Sequence, residues 1–336
     1  MEIASASCTA HAKAILLGEH SIVYGGSAIV APIPSLKLTA TATLSSGETP
    51  SFLMSGREVS REELRSGYPG IDLALSFFPC PEGFTISLST ESNIPESRGL
   101  GSSAASAHAV INALYKLFEN ADYISDSKIV NPIEKSEIYG MVKRCEDAVH
   151  IRASGVDQCG VMSSVTRLFH IPSEEELKKA DERRHAELVL GETLGVPLSS
   201  LNAQLVIADT GKNKSTGKAV GAIRSRVNSK DQDTIQALKE LGSLPDRALE
   251  AWNDRGLKEI GSLMNRAQEI LSSLGLSTSD LDVLTTSMRA SGALGSKLSG
   301  GGCGGIAIGL FDSIDGASEA LSAIETLGYR GWRIDL

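Results

Sequence analysis

Lys13, Ser103, Glu146 and Asp157 are the side chains in this sequence whose surroundings could turn charge into chemistry. Lys13 stands between Ala12 and Ala14 in an otherwise small and apolar run. A lysine there either snorkels to water or meets an anion. Asp157 follows Ser154-Gly155-Val156, where an aspartate caps or turns the chain unless it has other work. Glu146 lies at the edge of an apolar helical stripe, and a plain surface carboxylate is the competing reading. Ser103 closes the run Gly99-Leu100-Gly101-Ser102-Ser103, which leads through Ala104 into an apolar-periodic segment. A helix N-terminus presents backbone N–H groups and the positive end of the peptide dipoles, so a glycine-serine loop there suits a phosphate. An unliganded Ser N-cap is the alternative. Together the four fit phosphoryl transfer. The 99–104 loop would cradle a triphosphate, and Ser103 with Glu146 would hold Mg²⁺. Asp157 would take the proton of an attacking alcohol, and Lys13 would stabilise the developing charge.

The elements that must position these groups can be read from spacing. Residues 6–17 predict a strand ending at Gly18, with a polar bend through Glu19 and His20 and an apolar resumption at Ser27–Val30. Strict alternation predicts strands at 36–44 and 84–90. The stretch 45–71 reads as loops with a short acidic helix near Arg61–Arg65. Apolar residues at 104, 107, 110, 111, 114, 117 and 118 predict a helix to about Asn120 with one buried face. A second helix over 133–150 carries the stripe Ile138, Met141, Val142, Cys145 and Val149. Residues 152–158 read as a turn and 161–171 as strand-like. The charge-dense run 173–187 reads as a solvated helix or excursion. Farther on, 204–209 predicts a buried strand, and 219–274 helix with breaks at Gly242, Pro245 and Gly256. A helix at 280–289 follows. The run Ser299–Gly305 then leads into a buried strand at 306–311, a helix at 315–327 and a closing strand. A flexible linker is the competing reading of the 300–305 glycines.

The chain of 336 residues allows two domains, and 41% hydrophobic with 22% charged residues is a globular balance. A net charge of -9 argues against a nucleic-acid surface. The five cysteines are scattered, which fits neither a disulfide framework nor a zinc site. With no signal-peptide pattern and no spanning apolar run, the expectation is a cytoplasmic protein free of membrane contact. Strands and helices mix first and helices cluster later, so the fold class expected is α+β rather than a doubly wound parallel sheet. Neither a GxGxxG dinucleotide fingerprint nor a P-loop ending is present.

Three ordered motifs carry a resemblance. The segment AHAKAILLGEHSIVYGGSAIVAP, the run from Pro95 to Ala105 (P-x-x-x-GLGSSAA), and Lys297 to Gly305 resemble the three motifs of the GHMP small-molecule kinases. Ser299 replaces a threonine in the third. The GEHSIVYG wording, Ser215-Thr216 and MNRAQEILSSLGLSTSDLD are similar to the branch that acts on mevalonate, in its shorter bacterial-type form. The resemblance implies an N-terminal domain like ribosomal protein S5 domain 2 (1–200) and a ferredoxin-like C-terminal domain (201–336), with the site between them. It implies ATP- and Mg²⁺-dependent phosphorylation of the C5 hydroxyl of (R)-mevalonate, in a chain that pairs as a homodimer. By position it implies Asp157 as base, Lys13 as its partner, Ser103 and Glu146 as metal ligands, and Gly99 to Ala104 as the phosphate loop. Glu19, His20 and Thr216 fall on the substrate side. Ile151 replaces a motif glycine near the base, and Gln158 follows Asp157, which bears on substrate preference. A sugar or other small-alcohol kinase is the alternative within the class, and a non-catalytic ligand sensor the alternative outside it.

Overall fold

The computed structural model describes residues 2–47, 49–120, 135–149, 153–181, 187–194, 201–212 and 216–335. Two sheets organise the chain. Strand β1 (Glu2–Leu17) pairs antiparallel with the long β2 (Ser27–Ser46), which also pairs with β5 (Phe84–Ser92) and β6 (Arg167–His170). A hairpin, β3 (Phe52–Met54) and β4 (Arg57–Val59), and a short β7 (Glu192–Thr193) complete this seven-stranded sheet. β2 runs on as one strand where the sequence reading had two pieces. It absorbs Pro34, Ser35 and Leu36 at a register shift between the pairs His11–Lys37 and Ala12–Ile33. A bulge of this kind re-aims neighbouring side chains, and Lys13 is the next residue along.

Helix α1 (Arg61–Gly67) is the short acidic helix expected near Arg61–Arg65, and α2 (Pro69–Ser76) follows it, starting within the stretch otherwise expected to be loop. Helix α3 (Ser102–Asn120) lies on β1 and β2 with α2 and α4 (Lys135–Val149) against it. It is therefore buried on more than the one predicted face, with Ala105, Ala109 and Ala113 sealed as well. On α4 the outlier is Val149, which is exposed, while Glu146 is sealed. The stretch 156–161 forms a short helix, α5 (Val156–Val161), where a turn and a strand were expected; strand begins only at Arg167. Six residues are too few to show a helical period. Within the charged excursion, α6 (Glu174–Lys179) is a capped, exposed helix.

The second sheet holds β8 (Gln204–Asp209), β9 (Gly295–Ser299), β10 (Ile306–Phe311) and β11 (Arg330–Asp335), all antiparallel, in the order β11-β8-β10-β9. Helices α7 (Thr216–Asn228), α8 (Gln232–Asn253), α9 (Leu257–Ser273) and α10 (Ser279–Ala290) connect β8 to β9, and α11 (Ile314–Thr326) connects β10 to β11. This β-α-β-β-α-β course is the ferredoxin-like arrangement that the resemblance implied. The helical stretch breaks at 229–231 and near Gly256, whereas Gly242 and Pro245 lie inside α8. Its buried face, Leu238, Leu241, Leu244, Ala248 and Trp252, continues across the proline. α8 also packs on the bend at 21–24 and on β2, joining the two halves.

Candidate active site

Lys13 and Asp157 form an ion pair, with Nζ 2.6 Å from Oδ1. Lys13 is sealed, while the Asp157 side chain is 37% exposed. Three local features produce this. β1 pairs only with β2 among the described strands, so the outward N–H of Lys13 is available and donates to the Leu100 carbonyl at 3.0 Å. The Lys13 ammonium also donates to the Gly99 carbonyl at 2.9 Å. Asp157 sits in the first turn of α5, after Gly155 at φ 93°. α5 can lie this close because Gly160 has no side chain: a Cβ there would stand 2.6 Å from Lys13 Cβ.

Gly99 and Gly101 take positive φ, and α3 begins at Ser102. The amide of Ala105 reaches back to the Gly101 carbonyl, so the amides of Ser102, Ser103 and Ala104 precede the helical ladder, an arrangement that suits an anion. Leu100 is buried beneath them. The Ser103 side chain hydrogen-bonds Glu146. Burial pushes the Glu146 carboxyl up to about 7, and the nearby Asp157 charge adds to that; Ser103 and Lys13 pull against it. A sealed carboxylate with a hydroxyl beside it, near a second carboxylate, is a hard oxygen set that fits Mg²⁺. No group of three or more His, Cys, Asp or Glu suited to a metal occurs among the described residues.

On the far side, Glu19 is sealed and paired with Lys297 of β9. His20, at φ 59°, places Nε2 3.0 Å from the Gly301 carbonyl. The Ser299 hydroxyl takes the Ile15 N–H and donates to the Ile15 carbonyl, each at 3.0 Å. The glycine run is therefore a structured turn rather than a linker, with Gly300, Gly302, Gly304 and Gly305 all at positive φ. Thr216 opens α7, and its side chain, like all of Ser215, lies outside the described residues, as do His150, Ile151 and Arg152.

The family model for the GHMP kinases N terminal domain matches residues 70–164, and the model for the GHMP kinases C terminal matches 247–330. The chain belongs to the GHMP kinases. The mevalonate kinase of Pyrococcus abyssi is 29% identical over 88% of this chain and 86% of its own, and that of Aeropyrum pernix 28% identical over 91% and 89%. Among solved structures, L. major mevalonate kinase in complex with R-mevalonate superposes with a TM-score of 0.76 at 21% identity, covering 98% of this chain and 95% of that one. At that identity the superposition speaks to the fold, an α+β GHMP kinase fold with N- and C-terminal domains.

In this GHMP kinase, Lys13, Asp157, Glu146, Ser103 and the 99–104 loop come together in one place, and Glu19 and His20 lie on the seam where the third motif meets the first. Two residues that tie the two halves together were missed in the sequence. Lys297 read as the start of a glycine run, yet it is sealed in a strand whose every residue is buried. Arg98 contacts both oxygens of Asp209 at 3.2 Å and donates to the Gly211 carbonyl at 2.8 Å. A lone aspartate closing the apolar run QLVIAD was the available signal for that contact. Among the described residues, no helix is long and apolar enough to cross a membrane.

Proposed function

We propose that this GHMP kinase transfers the γ-phosphoryl group of ATP to the C5 hydroxyl of (R)-mevalonate, in the cleft between residues 1–200 and 201–336. The observation that carries the reading is the sealed Lys13 ammonium on the half-open Asp157 carboxylate, with the lysine also tied to the loop that starts α3. The relatives' shared name supports the choice of acceptor. Asp157 accepts the proton of the acceptor hydroxyl. Lys13 holds the oxygen as negative charge develops and keeps Asp157 aimed. The amides of Ser102, Ser103 and Ala104 bind the phosphates, with Gly99 and Gly101 allowing close approach. His20 and Thr216 orient the acceptor, with Glu19 behind His20. Ser103 and Glu146 would hold Mg²⁺, which when bound neutralises phosphate charge. No covalent nucleophile is required, because positioning and charge stabilisation carry the transfer.

The test is ADP release measured on a panel of mevalonate, galactose, phosphomevalonate and homoserine. Turnover with mevalonate well above the others is expected. A preference for galactose or homoserine would keep the phosphotransfer chemistry and reject the acceptor.

A further inference from the structure

The Glu19–Lys297 pair has no part in binding phosphate or moving a proton, yet both of its side chains are sealed. Lys297 is 0% and Glu19 2% exposed. The Lys297 ammonium also donates to the Leu298 carbonyl at 2.6 Å. The second carboxylate oxygen, Glu19 Oε2, is buried with no hydrogen-bond partner. An ion pair taken wholly out of water adds little to stability over an apolar pair of the same size, so stability alone is a weak account of it.

Its neighbours give a better one. Burial lowers the proton affinity of Lys297, Glu19 raises it again, and the positive charge of Lys13 lowers it further. The pair therefore lies within the electrostatic reach of the lysine that holds Asp157. Glu19 also precedes His20, whose left-handed backbone is uncommon for a residue with a side chain. Residues 297–301 hold residues 15–20 at three points: Ser299 on the Ile15 backbone, Lys297 on Glu19, and the Gly301 carbonyl on His20.

We propose that Lys297 is a positioning residue for phosphoryl transfer: by locking Glu19 it holds His20 in its bend at the acceptor and keeps the Glu19 charge from drawing Lys13 away from Asp157. The inference rests on the reading of Lys13 and Asp157 as the reacting pair. It also moves Glu19 from contacting the acceptor to acting through His20.

Lys297→Met removes the cation at similar length and leaves Glu19 uncompensated. Its kcat is expected to fall about tenfold to a hundredfold and the acceptor KM to rise severalfold, with the ATP KM within about twofold because the start of α3 is untouched. In Glu19→Gln/Lys297→Met both charges are gone, and at least about tenfold of the lost kcat is expected to return. Urea midpoints of the same set, taken without substrate, should show the two substitutions strongly coupled. Wild-type kcat and acceptor KM in Lys297→Met would overturn the proposal, and so would equal losses in the single and double variants. If Lys297→Met does not accumulate as folded protein, Glu19→Gln is read instead. A rise in acceptor KM at constant ATP KM supports the proposal, and an equal rise in both overturns it. Rates are taken on whichever acceptor the wild type phosphorylates, so an error in the acceptor shows in the wild type and leaves the ratios readable.

Discussion

The Lys13 ammonium meets the Asp157 carboxylate at 2.6 Å, the lysine closed off and the carboxylate 37% exposed. That asymmetry suits a base that must receive a proton from a bound alcohol while its partner stays dry. Asp157→Asn keeps the shape and removes both the base and the counter-charge of Lys13. Turnover is expected to fall by on the order of a thousandfold or more, with general-base and electrostatic losses acting together. Nucleotide affinity by calorimetry should stay close to wild type, because the amides at the start of α3 are unchanged. Appreciable turnover in Asp157→Asn would remove the residue from the role of base.

Glu146 makes the protein pH-sensitive in a direction that can be stated. Its carboxyl is raised from an ordinary 4.5 to about 7, by burial first and by Asp157 second. Between those values the folded protein keeps a proton that the unfolded chain has released. The stability due to this group is therefore fully present below about 4.5 and is lost as pH rises toward 7, roughly 3 kcal/mol in all. Metal binding needs the carboxylate, so apparent Mg²⁺ affinity should climb over the same window. Urea midpoints in EDTA and Mg²⁺ titrations from pH 5 to 8 measure both trends, and Glu146→Gln should flatten both. A wild-type Mg²⁺ affinity indifferent to pH would count against Glu146 as a ligand.

The parts of the site that lie on one local element were legible in the sequence. Gly99 to Ser103 signals a helix start because glycine, serine and the following apolar period all act within a few residues. Lys13 stands out because alanines flank it. What stayed hidden depends on contacts between distant segments. Nothing local to GSKLS tells that its lysine faces Glu19, because the register of β9 against the first motif is set only when the two sheets dock. The helical nature of α5 was hidden by its length. The continuity of α8 through Pro245 was hidden because a proline removes one hydrogen bond locally, while packing of Leu241, Leu244 and Ala248 holds the helix together from both sides.

Gly160 tests how tightly α5 must approach β1. A Cβ there would lie 2.6 Å from both Lys13 Cβ and Val30 Cγ1, neither of which is the loose end of a flexible chain. Gly160→Ala should therefore push α5 outward, destabilise the protein by about 2–3 kcal/mol, and lower kcat by moving Asp157 off Lys13. Gly140, inside α4, is the control, since a Cβ there meets nothing within 4 Å. Gly140→Ala should stabilise by about 0.5–1 kcal/mol through helix propensity alone. Urea denaturation reads both, and a neutral Gly160→Ala would show that the approach of the two elements is not tight.

Arg98 ties the loop before α3 to the second sheet. Its guanidinium contacts both Asp209 oxygens and the Gly211 carbonyl, and the Gly211 N–H returns to Asp209 Oδ1 at 2.9 Å. Both side chains are largely buried, 15% and 10% exposed. Arg98→Met would leave the Asp209 carboxylate without its cation, and a loss on the order of 2 kcal/mol is expected. Arg98→Met/Asp209→Asn removes the stranded charge as well and should be more stable than Arg98→Met alone. Because Arg98 immediately precedes Gly99, both variants should raise the ATP KM more than the acceptor KM, the reverse of the pattern expected at Lys297. Steady-state kinetics at saturating partner substrate separate the two. An Arg98→Met enzyme with unchanged ATP KM would mean that the loop holds its shape through Lys13 alone, by way of the Gly99 and Leu100 carbonyls.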